Sequence, residues 1–117
     1  MDKEKYNEQI CHIIWHDALQ RSIKPFLWGI DFGNIKVIDN GTEFRFQNHK
    51  ITGKIKIQYS ERTGLFNITV IHDNHERNPV IIENVKKGML VSVIDKQIFS
   101  YHELVEHGVL YKIVNLQ

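Results

Sequence analysis

The sequence predicts an α+β fold: an antiparallel β-meander of four to six strands, packed on one face by an N-terminal helix and a C-terminal helix. Two observations carry this expectation. Between residues 42 and 71 apolar and polar residues alternate in three successive runs, the period of strands with one buried and one wet face. Before and after that region the apolar residues recur at helical spacing instead. With 117 residues, of which 42% are apolar and 25% charged, the chain is expected to form a single domain, residues 1–117, with a real core.

Residues 3–22 read as a helix. Tyr6, Ile10, Ile13, Ile14 and Leu19 recur along one side, and Cys11, Trp15 and Ala18 widen it. Pro25 cannot continue a helix and biases Lys24 toward extended backbone, so the helix is expected to stop near Ile23. Ile35 and Val37 alternate with Lys36, and Asp39-Asn40-Gly41 then signals a tight hairpin turn at Asn-Gly. Residues 42–47 place Phe44 and Phe46 on one side and Glu43, Arg45 and Gln47 on the other. Residues 51–59 place Ile55, Ile57 and Tyr59 inward, with Lys54, Lys56 and Gln58 outward. After a turn at Glu61-Arg62-Thr63-Gly64, residues 65–71 put Phe66, Ile68 and Val70 inward.

Residues 72–78 are polar and read as a loop. Pro79 precedes a short apolar run, 80–82, which suits an edge strand. A second helix is expected over residues 84–99, with Val85, Met89 and Val93 in one row and Leu90, Ile94 and Ile98 in the next; Gly88 weakens its first turn. Ser100-Tyr101-His102-Glu103 matches a capping box, predicting a separate short helix through His107 that ends at Gly108. Residues 109–114 read as a last strand. The pairing of the first and last strands is not encoded locally.

Fifteen basic residues against fourteen acidic ones, a net charge of +1, give no global attraction to nucleic acid or anionic lipid. The lone cysteine, Cys11, fits a reducing compartment, and it lies within the apolar side of the first helix, where it reads as a core residue rather than a nucleophile. No apolar segment with the pattern of a signal peptide or membrane span is readable, so a cytoplasmic location is expected.

Three groups of residues carry metal-ligating chemistry in principle. Glu8, His12 and His16 stand at intervals of four on the first helix, yet they equally form its solvated face. His72-Asp73-Asn74-His75-Glu76 gathers donors in a loop, and His102 with Glu106 repeats the helical spacing. Gly29-Ile30-Asp31-Phe32-Gly33-Asn34 resembles the first strand and phosphate turn of actin-like ATPases and, more loosely, the leading aspartate strand of RNase H-like nucleases. That resemblance would make Asp31 a metal-directed carboxylate, with Glu83 and Asp95 as nominal companions; the bland alternative is a glycine-punctuated entry into a hairpin. No cofactor, metal or catalytic residue is assigned.

The outward sheet face is the more informative surface. Lys36, Arg45, Lys54 and Lys56 point there in the predicted register, and residues 35–71 carry six Lys/Arg against three acids. Such a stripe suits an acidic protein patch or a phosphate backbone. The aromatic residues fall on the buried side, so the stacking platform of single-strand binders is absent. Ile38 and Ile71 also point outward and suggest a contact surface, including one for a homodimer.

Residues 50–99 resemble a small domain of unknown function associated with large polyvalent proteins of bacterial mobile elements and phages. The likeness is carried by Ile51-Thr52-Gly53-Lys54-Ile55, by Leu65-Phe66-Asn67-Ile68-Thr69-Val70, and by Asn84-Val85 followed by Leu90-Val91-Ser92-Val93-Ile94-Asp95. It implies a mobile-element accessory protein and brings no catalytic residues. The expectation is therefore a non-enzymatic protein-interaction module, for example an anti-defence (anti-CRISPR-like) inhibitor that binds a partner through Lys36, Arg45, Lys54 and Lys56. Nucleic-acid binding by the same face and a small metal-dependent hydrolase are the alternatives.

Overall fold

A computed structural model describes residues 2–48, 51–74 and 76–106, with side chains through Phe99. Helix α1 (Lys3–Asp17) is followed by an irregular connector, then five strands, β1 (Lys36–Ile38), β2 (Gly41–Gln47), β3 (Thr52–Ser60), β4 (Leu65–His72) and β5 (Val80–Val85), and finally helix α2 (Leu90–Glu106). The strands form one antiparallel sheet in the order β1-β2-β3-β4-β5. The predicted α+β meander with a helix at each end is therefore what the chain forms.

The predicted faces hold. Phe44 lies opposite Ile55, Ile55 opposite Val70, Ile57 opposite Ile68, and Tyr59 opposite Phe66. The inner face they build meets Ile10, Ile14, Leu19, Leu90, Ile94 and Ile98 in one core, covered by both helices. Of the two rows expected on the second helix, Leu90, Ile94 and Ile98 are buried, whereas Met89 is exposed. Two polar side chains, Thr42 and His72, are buried on this inner face. Thr42 is fully buried; its hydroxyl accepts a hydrogen bond from the Trp15 indole at 3.0 Å and donates to the Lys36 carbonyl at 3.0 Å. Both polar ends are thus satisfied, as a buried hydroxyl and indole require.

Five boundaries differ from expectation. Helix α1 stops at Asp17 rather than near Ile23, because Ala18 leaves helical geometry and tight 3-10 turns follow at Leu19–Arg21 and Lys24–Leu27. The hairpin turn is Asp39–Asn40, not Asn40–Gly41: Ile38 pairs with Gly41, and Asn40 takes the left-handed conformation with φ 58°. Its backbone N–H donates to the Asn7 side chain at 2.8 Å, which ties the turn to α1. Asn84 and Val85 belong to β5, not to the second helix. A bulge there places Asn84 at φ 60°, and Val85 still pairs with Phe66. Helix α2 consequently begins at Leu90 after a 3-10 turn over Lys87–Met89. Finally, α2 runs unbroken through residues 100–106, so Ser100 lies inside a helix and caps no separate one. The first strand pairs with β2 at the sheet edge; the predicted last strand, 109–114, lies outside the described residues.

The connector between α1 and β1 has little regular structure but several long-range ties. The Trp28 indole donates to Asp95 of α2 at 2.9 Å, and Lys24 pairs with the other oxygen of the same carboxylate at 3.2 Å. Ile30 forms an isolated bridge with Phe46. Gly29 sits at φ 72°, and a Cβ on it would lie 1.7 Å from the Gln47 carbonyl oxygen. Only glycine lets the connector close against the upper edge of β2 there. Among the described residues no helix is long and apolar enough to cross a membrane.

Candidate functional site

The outer face of the sheet carries the four cations expected there, and the register brings them together. Lys36 lies opposite Glu43, which lies opposite Lys56. In the next row Arg45 lies directly opposite Lys54, and Lys54 opposite Ile71. Side chains directly opposite on one face are about 4.5–5.5 Å apart at Cβ, and like charges in that position weaken a ladder. Arg45 and Lys54 are such a pair.

Carboxylates answer only part of this charge. Asp73, just beyond β4, pairs with Arg45, and Glu43 approaches Lys56 at 4.0 Å. No carboxylate among the described residues lies within ion-pair distance of Lys36 or Lys54. Beside these cations is a concavity of about 230 Å³, lined by Lys36, Glu43, Phe44, Arg45 and Lys54 from the sheet and by Asp31 and Asn34 from the connector. Ile38 and Ile71, expected outward, are half-buried on this face, and Ile81 of β5, opposite Thr69, stands exposed on it.

The residues with possible catalytic or metal chemistry are engaged otherwise. Gly29–Asn34 does not form the leading strand of a nucleotide-binding fold. Asp31 caps the 3-10 turn Phe32–Asn34, its two oxygens accepting from the Gly33 amide at 3.2 Å and the Asn34 side chain at 2.6 Å. Asp95 holds Trp28 and Lys24, and Glu83 is exposed on the edge strand. His12 and His16 stack on the surface of α1 with ring centroids 5.2 Å apart, and His16 pairs with Asp17 rather than with Glu8. That contact, together with Lys87, holds the Asp17 carboxyl below its ordinary range. In the 72–76 turn Asp73 is taken up by Arg45, and the Asn74 side chain accepts from the Glu76 amide. Among the described residues no three His, Cys, Asp or Glu side chains gather closely enough to hold a metal ion. Cys11 is a buried free thiol in the core. His102 and the side chain of Glu106 lie outside the described side chains.

His72 ends the inner face of β4 and is buried there. Desolvation, with Arg77 nearby, holds its imidazole below the usual 6.5. A concavity of about 440 Å³ lies where the end of α1, the connector and the start of α2 meet, around the Asp17–Lys87 pair. It contains no nucleophile–base pair.

One surface escaped the sequence reading. The connector exposes Ile23, Phe26 (68% exposed), Leu27 and Phe32 (46%), while its Pro25 and Trp28 point inward. The run Pro25-Phe26-Leu27-Trp28 is apolar throughout and has no period, so nothing local says which side chains face out. No known family model, curated protein or solved structure matches the chain.

Proposed function

We propose that this protein is a non-enzymatic interaction module that binds the acidic surface of another protein through the open face of its sheet. The observation that carries the reading is the row structure of that face: Arg45 is placed directly against Lys54, and Lys36 and Lys54 have no carboxylate partner among the described residues. A ladder arranged for stability alone would alternate signs at those positions. An acidic partner supplies the missing charge and gains both on-rate and register from it. The concavity beside these cations, about 230 Å³, is smaller than the pockets of about 300–1,000 Å³ that enclose small ligands, which favours a macromolecular surface. An anti-defence inhibitor of a phage or mobile element is the version that agrees with the family likeness of residues 50–99. Such an inhibitor needs a stable fold and a surface, but no active site.

The test is a quantitative pull-down comparing the native chain with a Lys36→Glu/Lys54→Glu variant. Both side chains lie on the open face, so folding is expected to be unaffected, within about 0.5 kcal/mol. A specific protein recovered by the native chain and lost by the variant supports the reading. Equal recovery by both, or no specific protein at all, contradicts it. Nucleic-acid binding by the same face remains the second reading, favoured by the same cations. It predicts an affinity for duplex or single strands that falls steeply with salt.

A further inference from the structure

We infer that the exposed aromatic pair Phe26 and Phe32 is the apolar anchor of the same interface, and that the partner segment it takes combines acidic residues with a bulky apolar side chain. This inference rests on the reading of the basic face given above. Four observations lead to it.

The two rings touch, with centroids 5.5 Å apart, and Phe32 also meets the edge of Trp15 at 6.1 Å. With Ile23 and Leu27 beside Phe26 in sequence, and Val37 exposed opposite the Thr42 that holds Trp15, apolar surface is concentrated along one edge of the molecule. Contiguous apolar surface of this kind marks association sites.

The patch is also held in place. Pro25 and Trp28 are buried on either side of Phe26 and Leu27, and Asp95 fixes both Lys24 and the Trp28 indole. A rigid presentation lowers the ordering cost that a flexible loop would carry into binding.

The patch and the basic face are neighbours. Phe32 stands on the same 3-10 turn as Asn34, and Asn34 lines the concavity with Lys36, Arg45 and Lys54. On its other flank, exposed Arg21 and Lys24 precede Phe26. An aromatic centre with a cationic rim is the anatomy of a protein-binding hot spot, in which the rim selects the sign of the partner and the rings supply most of the affinity.

Charge decides the occupant. A second copy docked about a two-fold axis would bring this cationic rim against itself. Residues 107–117 of the chain contain Lys112 and no aspartate or glutamate, so they supply no complement to the rim either. An acidic segment of another protein carrying Phe, Trp or Leu satisfies both parts.

The experiment is selection of a display library of random linear peptides on the full chain, followed by affinity measurement of the enriched peptides. Peptides combining Asp or Glu with an aromatic residue or leucine are expected. A Phe26→Ser/Phe32→Ser variant is expected to bind them at least about thirtyfold more weakly, the effect of losing a hot spot. Its melting curve is the folding control. If that variant melts early, Phe26→Gln alone replaces it, since among the described residues the one ring Phe26 contacts is that of Phe32. Unchanged affinity in the aromatic variant, with loss in Lys36→Glu/Lys54→Glu, overturns the anchor and leaves the basic-face reading standing. Loss in the aromatic variant with no effect of the lysine changes overturns the acidic-partner assignment and the basic-face reading together. A peptide set without enrichment, as occupation of the patch by residues 107–117 would give, also overturns the anchor. So does a dimer in sedimentation that Phe26→Ser dissociates.

Discussion

The sheet and the connector that leads into it are ordered by opposite means. Each strand from β2 to β4 carries its own instructions: the alternation of Phe44, Phe46, Ile55, Ile57, Phe66, Ile68 and Val70 with polar residues names the buried face residue by residue. The connector over residues 18–35 has no such period. Its order comes from single contacts with distant partners: Trp28 and Lys24 with Asp95, Gly29 with Gln47, and Ile30 with Phe46. The consequence reaches function. A periodic element sorts apolar residues inward and charges outward, so its open face is polar. An element held by a few long-range ties is free to leave large apolar side chains outside, and this connector does so at Phe26 and Phe32.

The largest effect that separates the two regions is expected in the sheet. Ile57→Ala removes a fully buried side chain between Thr42 and Ile68 and should cost about 2–5 kcal/mol. Calorimetry would show the whole molecule melting earlier, because that residue belongs to the shared core. Asp95→Ala is the connector's counterpart. It leaves the Trp28 indole without its acceptor and frees Lys24, at a cost of about 1–3 kcal/mol. Limited proteolysis should then cut near residues 20–34 before any strand is lost; a uniform loss of protection would mean that connector and sheet open as one unit.

A smaller effect concerns pH and sharpens the view of the sheet's end. Because burial lowers the His72 pKa in the folded chain, the unfolded imidazole takes up its proton first as pH falls below about 6.5. That contribution to stability is present above 6.5, is lost through the window below it, and changes no further once the folded-state pKa is passed. Denaturant midpoints across this range should fall less for His72→Leu than for the native chain. An equal fall would place the acid sensitivity elsewhere.

What was legible in the sequence follows the same division. The central strands and the faces of Lys54, Lys56, Arg45 and Lys36 could be read because period-2 alternation is a local record of burial. The Leu90, Ile94 and Ile98 row was readable for the analogous helical reason. Asn84 was not: a bulge with one left-handed residue extends β5 to Val85 where Val85 and Met89 read as the start of a helix. Ser100 matched a capping box, yet a continuous helix satisfies the same amides with its own carbonyls. Of the candidate site, the four cations were found and the aromatic patch was missed. Its inward members, Pro25 and Trp28, are distinguished from Phe26 and Leu27 only by partners more than sixty residues away or by packing.

The account stands on the pleat of β3, with lysines turned to solvent and isoleucines turned to the core. The direct measurement is thiol labelling of two variants in a Cys11→Ala background, Lys54→Cys and Ile55→Cys, with a maleimide under native conditions. Lys54→Cys should react at close to the rate of an unfolded peptide, and Ile55→Cys only as fast as the protein unfolds. Rapid labelling at position 55 with protection at 54 would turn the sheet over and remove the binding face described for it.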